Sequence, residues 1–336
     1  MKFLKSGSHA LSDFFYTYLY HTTDKQHFTN PSGKLPGCFS VQMQAFVRIS
    51  PIFPELHPMN HVFHFNGELL PVGSAIITAE NRGLRYGDGL FETIKVVNGG
   101  MPLFALHMER LQQGLSVLQM KLPAFYTSEY IAENIIDLCG RNNIQHAARV
   151  RITVFRGNGT LYTTDSQYAS VLIQADLLTD AYMALNETGF NIDVYTEVQK
   201  SCDILSNLKS NNYLPYVMAA LHAQKQQLND SLVLNIHGRI CDATIANIFW
   251  IQKDSIFTPP LSEGCVAGVM RKYLLSELPK TGFTIQEKLC APEELWAAEE
   301  VFLTNALYGI RWVHQFGKKL YSNQLITQLY NQFVKN

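Results

Sequence analysis

Lys209 stands in the run Ser206-Asn207-Leu208-Lys209-Ser210-Asn211-Asn212-Tyr213-Leu214, a polar junction between a strand-like stretch over 191–199 and a helical pattern that starts near Tyr213. A lysine at such a junction can reach a cleft. Burial there would lower the pKa of its amine and free it to attack a carbonyl, the requirement for a Schiff base; the competing reading is an ordinary solvated lysine. An anion has a candidate partner in Gly264-Cys265-Val266-Ala267-Gly268-Val269-Met270-Arg271, which leaves the proline turn Pro259-Pro260 and enters a helix, so that free backbone N–H groups over 268–270 would face it. Alternation along Arg149-Val150-Arg151-Ile152-Thr153-Val154 puts both arginines on one face of a strand, opposite an apolar set. Two cations facing a cleft suit a carboxylate. The glycines of Arg85-Tyr86-Gly87-Asp88-Gly89-Leu90-Phe91-Glu92-Thr93 permit a close approach, but they lack the preceding strand and following helix of a dinucleotide fingerprint.

Elements must hold these residues in place. His61-Val62-Phe63-His64-Phe65 alternates, Asn66-Gly67 turns, and Glu68-Leu69-Leu70-Pro71-Val72 returns, which predicts a hairpin. Residues 90–97 and 101–104 alternate around Asn98-Gly99-Gly100 and predict a second. A helix follows, with Phe104, Met108, Leu111, Leu115 and Leu118 at three- and four-residue spacing. Strands over 148–155 and 168–174 complete an α+β unit, and periodicity is lost over 178–188. Later come short strands over 232–235, 248–251 and 255–258, and helices near 215–226, 269–278 and 292–297. Strands and helices do not alternate regularly, which argues against a doubly wound sheet. The expected division is an N-terminal extension over 1–58, a small domain over 59–180 and a larger one over 181–336.

With 336 residues, 47% hydrophobic and 16% charged, the chain can bury a sizeable core. A formal net charge of -1 gives no footprint for nucleic acid, and no basic run suggests a membrane surface, so small molecules are the expected partners. The six cysteines are scattered without C-x-x-C pairs, and no metal-ligand spacing links them to the eleven histidines; free thiols in a reducing cytoplasm fit. The extension, aromatic-clustered and then proline-rich, lacks the uninterrupted apolar core of a signal peptide. Regular patterning begins at Met59, which is read as the biological start.

Together these segments resemble the class IV aminotransferase family, pyridoxal phosphate enzymes of fold type IV that include branched-chain and D-amino-acid transaminases and 4-amino-4-deoxychorismate lyase. The resemblance covers 59–336 and rests on motifs in the family's order: Asn66-Gly67, Arg85-Tyr86-Gly87-Asp88-Gly89-Leu90-Phe91-Glu92, His107-Met108-Glu109-Arg110-Leu111, Arg156-Gly157-Asn158-Gly159, Leu208-Lys209-Ser210-Asn211-Asn212-Tyr213, Asp242 through Asn247-Ile248-Phe249-Trp250, Phe257-Thr258-Pro259-Pro260, and Gly268-Val269-Met270-Arg271. It implies a two-domain α+β fold of the D-amino-acid aminotransferase type, a small N-terminal α/β sandwich and a larger C-terminal domain with a β-barrel-like core. It also implies a homodimer and the cofactor pyridoxal 5'-phosphate (PLP).

The same resemblance assigns roles. Lys209 is the expected catalytic residue, forming the Schiff base with the cofactor and then moving a proton between the substrate's α-carbon and the cofactor. Arg110 holds the cofactor phosphate, a guanidinium fork suiting that anion. Tyr213 donates to the cofactor's phenolate oxygen, and Gly268, Val269, Met270, Asn305 and Ala306 complete the cofactor's surroundings. Tyr86, Phe91, Arg149, Arg151 and Leu307 are expected to line the substrate pocket. Asp242 departs from pattern, because relatives usually carry glutamate opposite the pyridine nitrogen and aspartate is shorter by one carbon–carbon bond, about 1.5 Å. Met270 stands where many relatives have threonine, which leaves that phosphate contact to backbone N–H groups.

Thr160-Leu161-Tyr162, after the Arg156 motif, lacks the second arginine that lyases and D-amino-acid transaminases often place there. Phe91-Glu92-Thr93 and Thr304-Asn305-Ala306-Leu307, in contrast, look closer to the lyase branch. The expectation is a transaminase passing an amino group between an amino acid and a 2-oxo acid. The alternatives are 4-amino-4-deoxychorismate lyase, which releases pyruvate from aminodeoxychorismate, and a non-catalytic binder that kept the fold.

Overall fold

The computed structural model describes residues 61–335; the proposed extension over 1–58 and the start at Met59 lie outside the described residues. Strands β1 (Val62–Phe65) and β2 (Glu68–Pro71) form the first hairpin, with Asn66 and Gly67 at φ 52° and 89° in the two-residue turn whose twist matches antiparallel strands. Short helix α1 (Arg82–Tyr86) leads into β3 (Gly89–Val97).

The expected second hairpin is instead a turn into a helix. Val97 and Gly100 exchange both backbone hydrogen bonds at 2.8 Å. Pro102, with no N–H, cannot extend the ladder, and α2 (Phe104–Val117) begins with Met108, Leu111 and Leu115 buried on one face. A further helix, α3 (Ser128–Arg141), starts at Thr127, whose hydroxyl accepts from Tyr130 N, and buries Ile131, Ile135 and Leu138. With β4 (Ala147–Phe155) and β5 (Ser170–Leu177), the strands make an antiparallel sheet of order β2-β1-β5-β4-β3. Ile94, Val96, Val150, Ile152, Val154 and Ile173 share one core with the buried faces of α2 and α3. The other parity of β3 and β4 pairs Phe91 with Thr153, Thr93 with Arg151 and Lys95 with Arg149. Strand alternation thus sends the polar set away from that core.

A turn of 3-10 helix, Asp180–Tyr182, precedes the second sheet. Its strands are β6 (Phe190–Lys200), β7 (Asp230–Asn235), β8 (Ile240–Ala243), β9 (Asn247–Gln252), β10 (Ser255–Thr258), β11 (Thr284–Glu287), β12 (Glu300–Asn305), β13 (Gly309–Phe316) and β14 (Lys319–Leu320). They run in the order β11-β10-β9-β12-β13-β6-β7-β8, with β14 on β13. The sheet curls into a half-barrel, so that edge strand β8 comes back to the start of β9 through Ala243 N→Ala246 O at 2.9 Å.

Its central strands are covered on both faces. Ile248 and Trp250 of β9, with Val301 and Leu303 of β12, fill the concave side, whereas Phe249, Ile251 and Phe302 pack against α5 (Val269–Glu277) and α7 (Gln324–Phe333). Double coverage removes alternation from the sequence, so β12 and β13 carry no period-two signal. Helix α4 (Leu214–Lys225) crosses from β6 to its parallel neighbour β7, and α6 (Pro292–Ala297) leads into β12.

Candidate active site

Lys209 lies where the two sheets meet. Phe91 N donates to Lys209 O and Asn211 N to Gly89 O, both at 2.9 Å, so the lysine's segment is stitched to the first residues of β3. Gly89 is required for this approach: a Cβ there would sit 2.4 Å from Asn211 Nδ2 and 2.5 Å from Val154 O. The amine stands 4.4 Å from the centroid of the Phe91 ring and 5.6 Å from that of Tyr213, and Arg151 Cζ lies 3.9 Å from the Phe91 centroid. Burial, aided by the charges of Arg110 and Arg151, lowers the lysine pKa to about 7. The amine is therefore substantially neutral at physiological pH.

Arg110 projects from α2 and is held by Glu92 of β3. Its Nε donates to Glu92 Oε1 at 2.8 Å, its Nη2 to Glu92 Oε2, and its Nη1 to Ala267 O at 3.0 Å. Three of the five guanidinium N–H groups are used, leaving one on each terminal nitrogen. His107 Nδ1 lies 2.7 Å from Glu92 Oε2. Burial opposes ionisation of Glu92, but Arg110 and His107 overcome it and hold the pKa at about 2. Burial keeps His107 below its usual value despite the adjacent carboxylate, so its Nδ1–H donates to Glu92.

The bond to Ala267 sets the guanidinium beside the start of α5. No side chain caps that helix, which leaves the first-turn N–H groups of Val269 and Met270 available to an anion. Gly268 belongs to the same fit, since a Cβ there would meet Asn247 Oδ1 at 1.8 Å. The Met270 side chain packs into the core with Phe249 and Leu274. Any contact from this position to an anion is through the backbone.

Asp242 of β8 is almost wholly enclosed. Its Oδ2 accepts from Lys200 Nζ at 2.9 Å, Tyr216 OH at 2.7 Å and Val266 N at 3.0 Å; its Oδ1 accepts from Asn247 Nδ2 at 3.0 Å. A line of rings joins it to the lysine: Tyr216 and Tyr213 centroids are 4.5 Å apart, Tyr213 and Phe91 5.4 Å. Tyr213 OH donates to Thr244 O at 3.0 Å, rather than pointing free into the cleft. Asn305 Nδ2 reaches Ile245 O at 3.3 Å, and its Oδ1 accepts from Leu307 N and Tyr308 N, shaping the turn that carries Ala306 and Leu307.

On the remaining side, Arg151 Nε donates to Thr153 Oγ1 at 3.2 Å, and burial together with Arg149 lowers its pKa. Arg149 leans on Asp176 at 3.8 Å. Arg156 is committed elsewhere, to Asp88 Oδ2 at 2.9 Å and Leu118 O at 2.6 Å. Tyr86 is 41% exposed and lies against Arg82, its ring centroid 5.5 Å from the guanidinium carbon, and Tyr162 is 91% exposed. The structure thus brings Lys209, Phe91, Arg110, Arg151, Tyr213 and Asp242 together, joins the α5 start to them through Arg110, and sets Tyr86 under Arg82.

Glu92 and His107 fall within the motifs above but receive no role from sequence, and Lys200 and Tyr216 are not reached by it. Glu92 carries a readable signal: it shares the parity of Leu90, Ile94 and Val96, and a carboxylate on an apolar face requires a partner. Lys200 has none, because its partner lies on a strand distant in sequence. The assembled groups can hold PLP: an amine for the aldehyde, a guanidinium fork and helix start for the phosphate, aromatic rings for the pyridine and a carboxylate for its nitrogen.

Comparison with known proteins shows the family and the fold. The family model described as amino-transferase class IV matches residues 89–316. Aminodeoxychorismate lyase of Vibrio harveyi is 29% identical over 68% of this chain and 83% of its own length. A putative branched-chain-amino-acid aminotransferase of Methanocaldococcus jannaschii is 24% identical over 79% of this chain and 91% of its own. Among solved structures, the branched-chain amino acid aminotransferase of Escherichia coli has the same fold, with TM-score 0.73, 22% identity, and coverage of 82% and 94% of the two chains.

Proposed function

The chain belongs to the class IV aminotransferase family, and from that premise we propose that it transfers the amino group of an amino acid to a 2-oxo acid, using PLP held on Lys209. The observation that carries this reading is the desolvated amine of Lys209, fixed to β3 by backbone bonds between the charges of Arg110 and Arg151. When bound, the cofactor supplies an aldehyde and an electron-withdrawing ring that stabilises charge at the substrate's α-carbon. Lys209 Nζ would hold the cofactor's aldehyde carbon and would carry the proton of the substrate's α-carbon. Arg110 and the N–H groups of Val269 and Met270 would hold its phosphate. Asp242 Oδ1 would accept from the ring nitrogen, Tyr213 and Phe91 would line the ring's surroundings, and Arg151 with Arg149 would orient the substrate carboxylate.

Arg156 is paired with Asp88, and Thr160-Leu161-Tyr162 after it lacks the second arginine that lyases often place there, which favours transfer over lysis. The second reading, aminodeoxychorismate lyase, is favoured by the 29% identity to the Vibrio harveyi enzyme. We place the boundary between a small and a larger domain at residue 180 and the protein in the cytoplasm, in keeping with the five free cysteines among the described residues.

A purified protein given PLP should develop an absorbance that Lys209→Ala abolishes, and should convert 2-oxoglutarate to glutamate when an amino acid is supplied. Pyruvate release from aminodeoxychorismate without a keto-acid acceptor would sink the transaminase reading. A protein that takes up no PLP would favour the non-catalytic binder over either enzyme.

A further inference from the structure

The carboxylate of Asp242 is surrounded unevenly. Each carboxylate oxygen offers about two lone-pair positions. Oδ2 is filled by Lys200, Tyr216 and Val266 N, whereas Oδ1 has Asn247 alone and one position left. Lys200 is 8% exposed and Asp242 1%. Besides the carboxylate, Lys200 Nζ reaches Gly264 O at 2.6 Å and the Tyr216 hydroxyl. A lysine this enclosed needs an anion, and Asp242 is the carboxylate within ion-pairing distance of it.

We propose that Lys200 is a positioning residue: it fixes Asp242 as a carboxylate, occupies Oδ2, and leaves Oδ1 as the single acceptor for the cofactor's ring nitrogen. This rests on the PLP reading above and goes beyond it. The ring nitrogen then faces a neutral ion pair instead of an isolated anion, and its proton is held less tightly than a lone buried carboxylate would hold it. Lys200 also gives a reason for an aspartate here, since the shorter side chain keeps the charge within reach of β6.

The other titratable neighbours do not compete. Burial first, with the charge of Asp242 added, raises the pKa values of Tyr213 just before α4, Tyr216 on α4, Cys241 on β8 and Cys265 before α5, so all four stay neutral. Lys209 is the remaining nearby cation that Asp242 influences.

The test is reconstitution with ring-15N-labelled PLP and 15N NMR across pH. Lys200→Met should raise the proton affinity of the ring nitrogen about tenfold or more, the scale of a neighbouring charge, while Lys200→Arg stays close to wild type. Without PLP, Lys200→Met leaves the buried Asp242 carboxylate with no cation beside it, so the variant should melt at a lower temperature than wild type, while Lys200→Arg should melt close to it. If Lys200→Met cannot be purified, Tyr216→Phe removes a neutral donor from Oδ2 and should move the nitrogen titration in the same direction by less. Nitrogen titrations unchanged in both variants overturn the inference and leave the PLP reading standing. A wild type that takes up no PLP overturns both.

Discussion

At the scale of single residues, the site is built by placing charges where water is scarce. Lys209 shows the effect most directly, because burial and two guanidinium groups bring its pKa to about 7. Mixing PLP with cofactor-free protein at a series of pH values should give a rate of absorbance change that rises with a midpoint near 7; a midpoint near that of a free lysine would contradict the proposed environment. The stability linkage has the same sign: between about 7 and 10.5 the unfolded chain binds more protons, so this residue's contribution improves as pH rises through that window. Lys209 and Arg110 were legible in the sequence because each sits in a motif whose neighbours have fixed types. Glu92 was legible by parity on its strand. The Lys200 to Asp242 pair was not, since nothing local marks a partner brought in by β6 running beside β7 and β7 beside β8.

Elements carry those residues through close backbone approach. The two bonds between 89–91 and 209–211 exist because Gly89 has no side chain. Gly89→Ala should push the lysine segment away and slow PLP capture by up to about a hundredfold, the scale expected for a displacement near 1 Å, as measured by stopped-flow absorbance. Capture at the wild-type rate would show that the seam tolerates the methyl group. Legibility at this scale followed burial geometry. Strands with one covered face, β3 and β4, and helix α2 with its apolar stripe were readable, whereas β12 and β13, covered on both faces and interrupted by residues such as Glu300, Arg311 and His314, show neither alternation nor a plain apolar run. The turn at 98–100 misled because the same residues that reverse a hairpin can also deliver a chain into a helix.

For the molecule as a whole, α4 presents an outer face that the described residues leave bare. Leu214, Val217, Met218 and Leu221 recur at helical spacing and are 74%, 44%, 43% and 52% exposed. An apolar stripe next to the lysine segment supports the proposed homodimer. Sedimentation equilibrium should give twice the chain mass for wild type and a shift to monomer for Met218→Glu combined with Leu221→Glu; a wild type that stays monomeric at micromolar concentration would remove the proposal.

No helix among the described residues is long and apolar enough to cross a membrane. The seam between β3 and the lysine segment bears on how the molecule comes apart. Arg110 rises from the first sheet's helices, the start of α5 packs on the second sheet, and Lys209 is bonded to β3 between them, so a cofactor gripping all three would tie the two cores together. Ligand binding stabilises whatever it spans, and PLP would act as a fastener that makes the halves melt as one. Hydrogen exchange on cofactor-free protein is then expected to show one sheet opening before the other, and exchange on the loaded protein to show both opening together.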